Sequence, residues 1–361
     1  MRKLKILRLL LSLGETSGPY NLLTLPLEEK QEITICTYFE SPVSVTQGIR
    51  LIEGDNSLAG FFRGLKNALL QNRYDIIHAH TPHVALLYLL FTLVKAGKPR
   101  IPKVLTLHCS YDNLKLRNRF ILIPVLRFFE RIVFCSESSF QSFPAVFLRL
   151  AAGKARIVKN GVDIDRIDRC KENKQSLLSN KGFKIATVGR LIEAKNFTVL
   201  LRAFREIHDN RSSLAFIGEG PIYNDLIRKI GNMGLEGHVK LTGLIPREHV
   251  FKYLIEADLY VSASVREGLP VAVLEAMACS CPVILSDIPP HREIADGLDF
   301  IPLVDSNDVN GYVEAIKKFI CMSYSERIEI GEKCRRLVED KFPLDLMHRG
   351  YSKIYREVIT S

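Results

Sequence analysis

Arg266-Glu267-Gly268-Leu269-Pro270-Val271-Ala272-Val273-Leu274-Glu275-Ala276-Met277-Ala278 reads as a strand handing over to a helix. The apolar run Leu259–Ala263 predicts a strand that stops just before it. A loop then carries Glu267 and Gly268, and Pro270 suits the first turn of the helix that follows. Such a helix N-terminus presents unpaired backbone N–H groups and the positive end of a dipole, a natural seat for phosphate. Gly268 lets backbone approach an anion with no Cβ in the way. Glu275 would lie about 7.5 Å further along the axis at ~1.5 Å per residue. Two carboxylates thus bracket an anion site, and carboxylates repel phosphate but accept hydrogen bonds from hydroxyls. A glutamate on the apolar helix VAVLEAMA also needs a partner.

The same alternation runs outward in both directions. Strand-like runs are Lys5–Leu11, Asp75–His80, Val104–His108, Arg131–Cys135 and Arg156–Lys159, then Lys184–Gly189, Leu214–Gly218, Val239–Thr242 and Pro282–Ser286. Helical patterns fall between them at Phe61–Gln71, Asn196–His208, Tyr223–Gly234, Arg247–Ala257 and Asp308–Phe319. Continuous apolar strands separated by helices predict parallel sheets covered on both faces. The charge-dense stretch 163–181 breaks the rhythm and reads as a linker. The expected organisation is therefore α/β: one doubly wound domain at 1–162, a second at 182–345, and a closing helix at 346–361. In such sheets ligands bind beyond the carboxyl ends of the strands.

A chain of 361 residues with 47% apolar and 25% charged residues suits two globular domains and excludes a disordered or fibrous protein. The net charge of +10 is uneven. Residues 1–160 hold 22 lysines and arginines against 11 acidic residues, whereas residues 161–361 hold 28 against 29. A local anionic partner fits this better than a uniformly nucleic-acid-binding protein. The eight cysteines form no CxxC pair, so zinc-ribbon and thioredoxin chemistry is not suggested. With no signal-peptide pattern at the start, free thiols in a reducing cytosol are expected. The longest apolar run, Val84–Val94, is too short to span a bilayer.

A second cation-bearing turn follows another strand, in Thr187-Val188-Gly189-Arg190-Leu191-Ile192-Glu193-Ala194-Lys195-Asn196. Arg190 with Lys195 suits a diphosphate, the arginine as a planar fork and the lysine as a point charge. Joined to the two glutamates, this describes phosphates flanked by polyols, the chemistry of a nucleotide sugar. Together these segments resemble the retaining GT-B glycosyltransferases of family 4, also described as glycosyl transferases group 1. The resemblance extends to Lys159-Asn160-Gly161-Val162-Asp163, to Phe216–Pro221 (FIGEGP), to Val239–Gly243 (VKLTG), to the glutamates eight positions apart, and to the terminal YSKIYREV. It implies two Rossmann-like domains facing across a cleft, with the last helix returning to the first domain.

By that resemblance Arg190 and Lys195 hold the donor diphosphate, Glu267 meets the donor sugar, and Glu275 meets the ribose. Gly218 and Glu219 correspond to the loop near the nucleotide, Leu244 and Ile245 to the base-binding segment, and Gly268, Leu269 and Pro270 to the phosphate-binding turn. Thr106-Leu107-His108 resembles a strand end whose histidine, His108, faces the reacting sugar. Gly14, in Gly14-Glu15-Thr16-Ser17-Gly18, sits where the family has a glycine-rich loop, although adjacent glycines are missing. Ser280 stands where the family commonly has glycine, which sequence alone treats as inconsequential. The family implies a nucleotide-diphosphate sugar as substrate, no other cofactor, no metal, and a hydroxyl acceptor, lipid-linked or a polysaccharide precursor.

His78 and His80 share a strand face by alternation, yet metal binding would need a third ligand. Lys115, Arg117, Arg119, Arg127 and Arg131 interleave with Phe120–Ile123 and Val125–Phe129, a composition that fits an anionic membrane surface. Basic helix ends packed on a sheet are the plainer alternative. Stacking register for RNA is lacking. The expectation is a cytosolic retaining glycosyltransferase, peripheral at the inner membrane face, with front-face attack in which the departing phosphate takes the acceptor proton. A catalytically silent GT-B scaffold subunit is the alternative. A nicotinamide oxidoreductase is disfavoured because no GxGxxG fingerprint is present.

Overall fold

Apolar β-rich segments of two to seven residues cannot bury both faces alone, so they pair in parallel and take helices on either side. The computed structural model describes residues 2–14, 17–27, 30–41, 43, 45–93, 101–172, 182–207 and 211–360. The chain divides into two compact units, Met1–Asn160 with Asp345–Ser361, and Gly161–Leu344.

In the first unit the strands are β1 (Leu4–Leu10), β2 (Gln31–Thr37), β3 (Ile49–Ile52), β4 (Ile76–Ala79), β5 (Lys103–Leu107), β6 (Arg131–Phe134) and β7 (Ala155–Ile157). They form one parallel sheet in the order β3-β2-β1-β4-β5-β6-β7. The chain winds one way through β1, β2 and β3 and the other way from β4 onward, so the order reverses between β1 and β4. Leu7, Leu9, Ile77, Leu105, Ile132 and Phe134 sit in its core against Phe61, Leu65, Val84 and Leu122 from the covering helices. The last helix, Leu344–Thr360, packs on this sheet, burying Met347, Tyr351, Ile354, Tyr355 and Val358. Its Glu357 takes hydrogen bonds from Arg131 and Arg156 on β6 and β7.

The second unit holds β8 (Lys184–Val188), β9 (Ser213–Ile217), β10 (Val239–Leu241), β11 (Leu259–Ser262), β12 (Val283–Ser286) and β13 (Leu303–Val304). They pair in parallel in the order β10-β9-β8-β11-β12-β13, with the reversal between β8 and β11. Phe197, Leu201, Phe204, Phe216, Leu226, Val261 and Ile316 fill its core.

Three differences from the sequence reading have physical causes. β2, β3 and β13 are not among the strands the sequence predicts: β2 (Gln31–Thr37) interleaves polar with apolar residues, and β3 and β13 are edge strands of only four and two residues. The supposed linker opens with a helix, Ile164–Glu172, that belongs to the second unit, which begins at Gly161 instead of 182. Two of its charges meet partners in that unit: Arg166 bonds Glu248, and Asp168 takes two hydrogen bonds from Arg335. The remainder of that stretch, 173–181, lies outside the described residues. Ser280 adopts a left-handed backbone, φ 60°, which accounts for the family's glycine there; Lys171 donates to its hydroxyl at 3.2 Å.

Candidate active site

Eleven of the thirteen residues assigned to the site above belong to the second unit; ten of them lie on loops at the carboxyl ends of four neighbouring strands, β10, β9, β8 and β11, and Glu275 lies on the helix after β11. The loop after β8 and the loop after β11 meet where the strand order reverses, the place where doubly wound sheets take ligands. Lys195 Nζ lies 2.5 Å from Glu267 Oε1 there. Ser264 Oγ donates to the same carboxylate at 2.7 Å. A backbone bond from Val265 N to Ala194 O, 2.9 Å, ties the two loops together. Burial, the largest single influence, would raise the Glu267 carboxyl, but Lys195, His291 and the Ser264 hydroxyl together hold it below the usual carboxylate range. An ionised Glu267 is an acceptor only, suited to hydroxyl donors, and Lys195 directs one of its three N–H bonds at it.

Glycines make the loops fit. A Cβ on Gly218, at φ 142°, would stand 2.1 Å from Gly189 O, and one on Gly220 would stand 2.2 Å from Leu191 O. The chain after β9 is therefore pressed flat onto the chain after β8, and Gly218 also bridges to Gly243 after β10. Arg190, next to Gly189, is exposed and makes no ion pair among the described residues. Glu219 is exposed, Leu244 is 49% exposed, and Ile245 is half-buried on the loop after β10.

The helix following β11 runs Val271–Ala278, and Pro270 occupies its N-cap, one position earlier than the first helical turn expected from sequence. No side chain caps this end, so first-turn N–H groups of Val271 and Ala272 remain available to an anion. Gly268, Leu269 and Pro270 are buried beneath it. Glu275 is buried on the same helix and pairs with Arg247, the first residue of the helix Arg247–Glu256. Burial pushes its carboxyl up against the pull of Arg247. Arg247, Ser264 and His291 were missed in the sequence. Ser264 precedes Glu267 by one helical turn's spacing and could have been found; the other two come close only through the fold.

Gly14 and His108 belong to the first unit. Gly14 is half-buried with open space where a Cβ would point, and its neighbours Glu15 and Thr16 lie outside the described residues. His108 follows β5, and its Nε2 lies 3.1 Å from His80 Nδ1 after β4. Burial pulls the His108 imidazole down to about 4. Behind it, His78 shares its two nitrogens between Tyr355 OH at 2.7 Å and Thr106 Oγ1 at 2.8 Å. Among the described residues no group of three His, Cys, Asp or Glu side chains could hold a metal ion. No helix among them is long and apolar enough to cross a membrane.

Two doubly wound parallel sheets, one of them carrying a cation–carboxylate pair and an uncapped helix end at its reversal point, make up the GT-B architecture. The chain belongs to the glycosyl transferases group 1: residues 168–339 match that family, and residues 31–166 match Glycosyltransferase Family 4. It is 25% identical over 312 residues to the UDP-Gal:alpha-D-GlcNAc-diphosphoundecaprenol alpha-1,3-galactosyltransferase of Escherichia coli, covering 81% of this chain and 76% of that one. It is 28% identical over 229 residues to the putative teichuronic acid biosynthesis glycosyltransferase TuaC of Bacillus subtilis, covering 59% of this chain and 53% of that one. In fold it resembles Anabaena Alr3699/HepE, solved in complex with UDP and glucose, with a TM-score of 0.79 and 16% identity over 98% of this chain and all of that one.

Proposed function

We propose that this glycosyltransferase moves a sugar from a nucleotide-diphosphate donor to the hydroxyl of a lipid-linked or polysaccharide-precursor acceptor, with retention at the anomeric carbon and without a metal. The observation that carries this reading is the Lys195–Glu267 pair at the β8/β11 reversal, beside the uncapped N-terminus at Pro270. Lys195, Arg190 and that helix end hold the diphosphate and stabilise its charge as it departs. Glu267 takes hydroxyl hydrogens of the sugar and tolerates positive charge as the glycosidic bond lengthens. Glu275 serves the ribose, Leu244 and Ile245 the base, and Gly218 and Glu219 the loop beside the nucleotide. Gly14 and His108 act from the first, acceptor-binding unit, His108 on the sugar being transferred.

In the transfer step the acceptor oxygen forms a bond to the anomeric carbon while the bond to the donor phosphate oxygen breaks. The acceptor proton passes to that phosphate oxygen, and attack comes from the face the diphosphate leaves. A relative named for a diphosphoundecaprenol-linked sugar supports a lipid-borne acceptor. The protein then works at an anionic membrane surface on the cytoplasmic side. The helix Leu116–Phe128 supports this: Leu116, Phe120 and Ile123 fall on one exposed face, and no acidic residue occurs between Asp112 and Glu130.

Thermal shift against UDP, GDP and ADP sugars selects the donor, since a ligand stabilises by RT ln(1 + [L]/Kd). With that donor, Glu267→Ala lowers transfer by at least about 10-fold, some 1.4 kcal/mol, and NMR of the product finds the donor's anomeric configuration. Inverted product, unchanged turnover in Glu267→Ala, or a chain that neither transfers nor hydrolyses any of the three donor types contradicts the reading; the last result describes a silent scaffold subunit.

A further inference from the structure

The first sheet carries a row of polar groups where its strand order reverses. Arg8 on β1 lies in register with His78 on β4, and His78 and His80 share a face by alternation. His78, His80 and Arg8 are all buried, and the three guanidinium nitrogens of Arg8 have no hydrogen-bond partner among the described residues. His80 lies over His78 with ring centroids 4.1 Å apart, and its ring lies edge to edge with that of His108, nearly coplanar at 16°, with centroids 5.4 Å apart. Resting on the assignment of His108 to the transferred sugar, we propose that His80 is a positioning residue: it fixes the tautomer of His108 so that this ring meets the substrate as an Nδ1–H donor and not as a base.

Burial and the neighbouring Arg8 cation keep His78 and His80 neutral, and burial keeps His108 neutral. Two neutral imidazoles joined nitrogen to nitrogen share one hydrogen across the contact. His80 Nδ1 and His108 Nε2 form that contact at 3.1 Å, so one of them donates. The remaining nitrogen of His80, Nε2, is buried and has no partner. A hydrogen there would be an orphaned donor in the field of a buried cation, whereas a bare lone pair is attracted by it. His80 therefore carries its hydrogen on Nδ1 and donates to His108 Nε2. His108 must then carry its own on Nδ1, the nitrogen with no partner among the described residues and so the one open to a ligand.

His78 does not compete for the contact, because the hydroxyls of Tyr355 and Thr106 occupy both its nitrogens. Tyr351 OH, 3.0 Å from Thr106 Oγ1, closes that network against the last helix. Free neutral histidine favours hydrogen on Nε2, so the arrangement reverses the usual preference at His108. A ring protonated on Nδ1, with Nε2 already occupied, has no lone pair to offer the substrate. It can donate to a hydroxyl or phosphate oxygen, and the acceptor proton must leave by another route, which is the route through the departing diphosphate.

The test uses the full-length protein labelled with 15N-histidine, with resonances assigned by loss in His108→Phe and His80→Phe. Long-range proton–nitrogen spectra at pH 7.5 are expected to find His108 as the Nδ1–H tautomer, and to find it as Nε2–H in His80→Phe. With the identified donor, His80→Phe lowers kcat about 10-fold while the donor KM stays within about 2-fold, and His80→Asn, whose amide N–H can still donate to Nε2, recovers part of the loss. An Nε2–H tautomer in the wild-type protein overturns the proposal, and that spectrum needs no variant to fold. Loss of transfer in His108→Phe with tautomer and kcat unchanged in His80→Phe overturns it alone. Unchanged transfer in His108→Phe overturns it together with the reading of His108 on which it rests.

Discussion

Replacing Arg247 with methionine removes the partner of a carboxylate that has almost no access to water. The Arg247 and Glu275 side chains are 15% and 6% exposed. Deleting one member of a buried ion pair costs about 3–5 kcal/mol, because the other is left uncompensated. Arg166 also bears on Glu275 and softens the loss, which puts the expectation near the lower bound, about 3 kcal/mol. For a unit of this size that is roughly 6–12 °C in Tm. The effect has a definite pH sign. The Glu275 carboxyl already lies above its ordinary range, and removing Arg247 raises it further. The folded state then holds a proton that the unfolded state releases, so stability falls as pH rises through the interval between the two values. The Arg247→Met deficit is therefore larger at pH 8 than at pH 5, and adding Glu275→Leu recovers most of it. Circular dichroism melts of the three proteins at the two pH values decide the matter. A variant melting within about 1 °C of wild type, or a deficit independent of pH, refutes the reasoning.

Gly218→Ala places a Cβ 2.1 Å from Gly189 O at a backbone angle closed to side chains; it should destabilise the protein by at least about 1–3 kcal/mol in urea melts and weaken nucleotide binding. His78, His80, His108 and His291 are buried and held neutral, the last two down to about 4, while unfolded histidine takes its proton near ~6.5. Stability is thus full above about pH 6.5 and falls progressively as pH drops toward 4, visible as a Tm that declines across that window; a flat Tm contradicts it. Phe120→Glu with Ile123→Glu should abolish sedimentation with phosphatidylglycerol vesicles while leaving the melt unchanged, and wild-type binding should weaken with salt. Equal sedimentation of the double variant removes the helix Leu116–Phe128 from the account.

Much of the fold is legible because the strands β4, β5, β8, β9, β11 and β12 are short, mostly apolar runs, each ending at a polar residue or glycine. The Glu267–Glu275 segment and the Arg190–Lys195 turn stand out by chain-local spacing alone. What stayed hidden depends on contacts distant in sequence. Arg247 looks like any charged residue opening an amphipathic helix until it meets Glu275. His291 comes near Glu267 only through the crossing from β11 to β12. Arg8 lies inside the apolar strand Leu4–Leu10, where nothing local signals that it will share a face with two histidines some seventy residues later. The helix Ile164–Glu172 looks like linker in the sequence because its composition is polar; its ion pairs to Glu248 and Arg335 form only in the folded unit.

The central claim is that the β8 loop of the second unit binds a nucleoside diphosphate through Lys195. Isothermal titration of UDP, GDP and ADP into the wild-type protein and into Lys195→Met tests it without requiring the acceptor. One of the three is expected to bind the wild type, and Lys195→Met is expected to bind it at least about 10-fold more weakly, some 1.4 kcal/mol. Equal affinity in the two proteins, or no binding of any of the three to the wild type, would contradict the account.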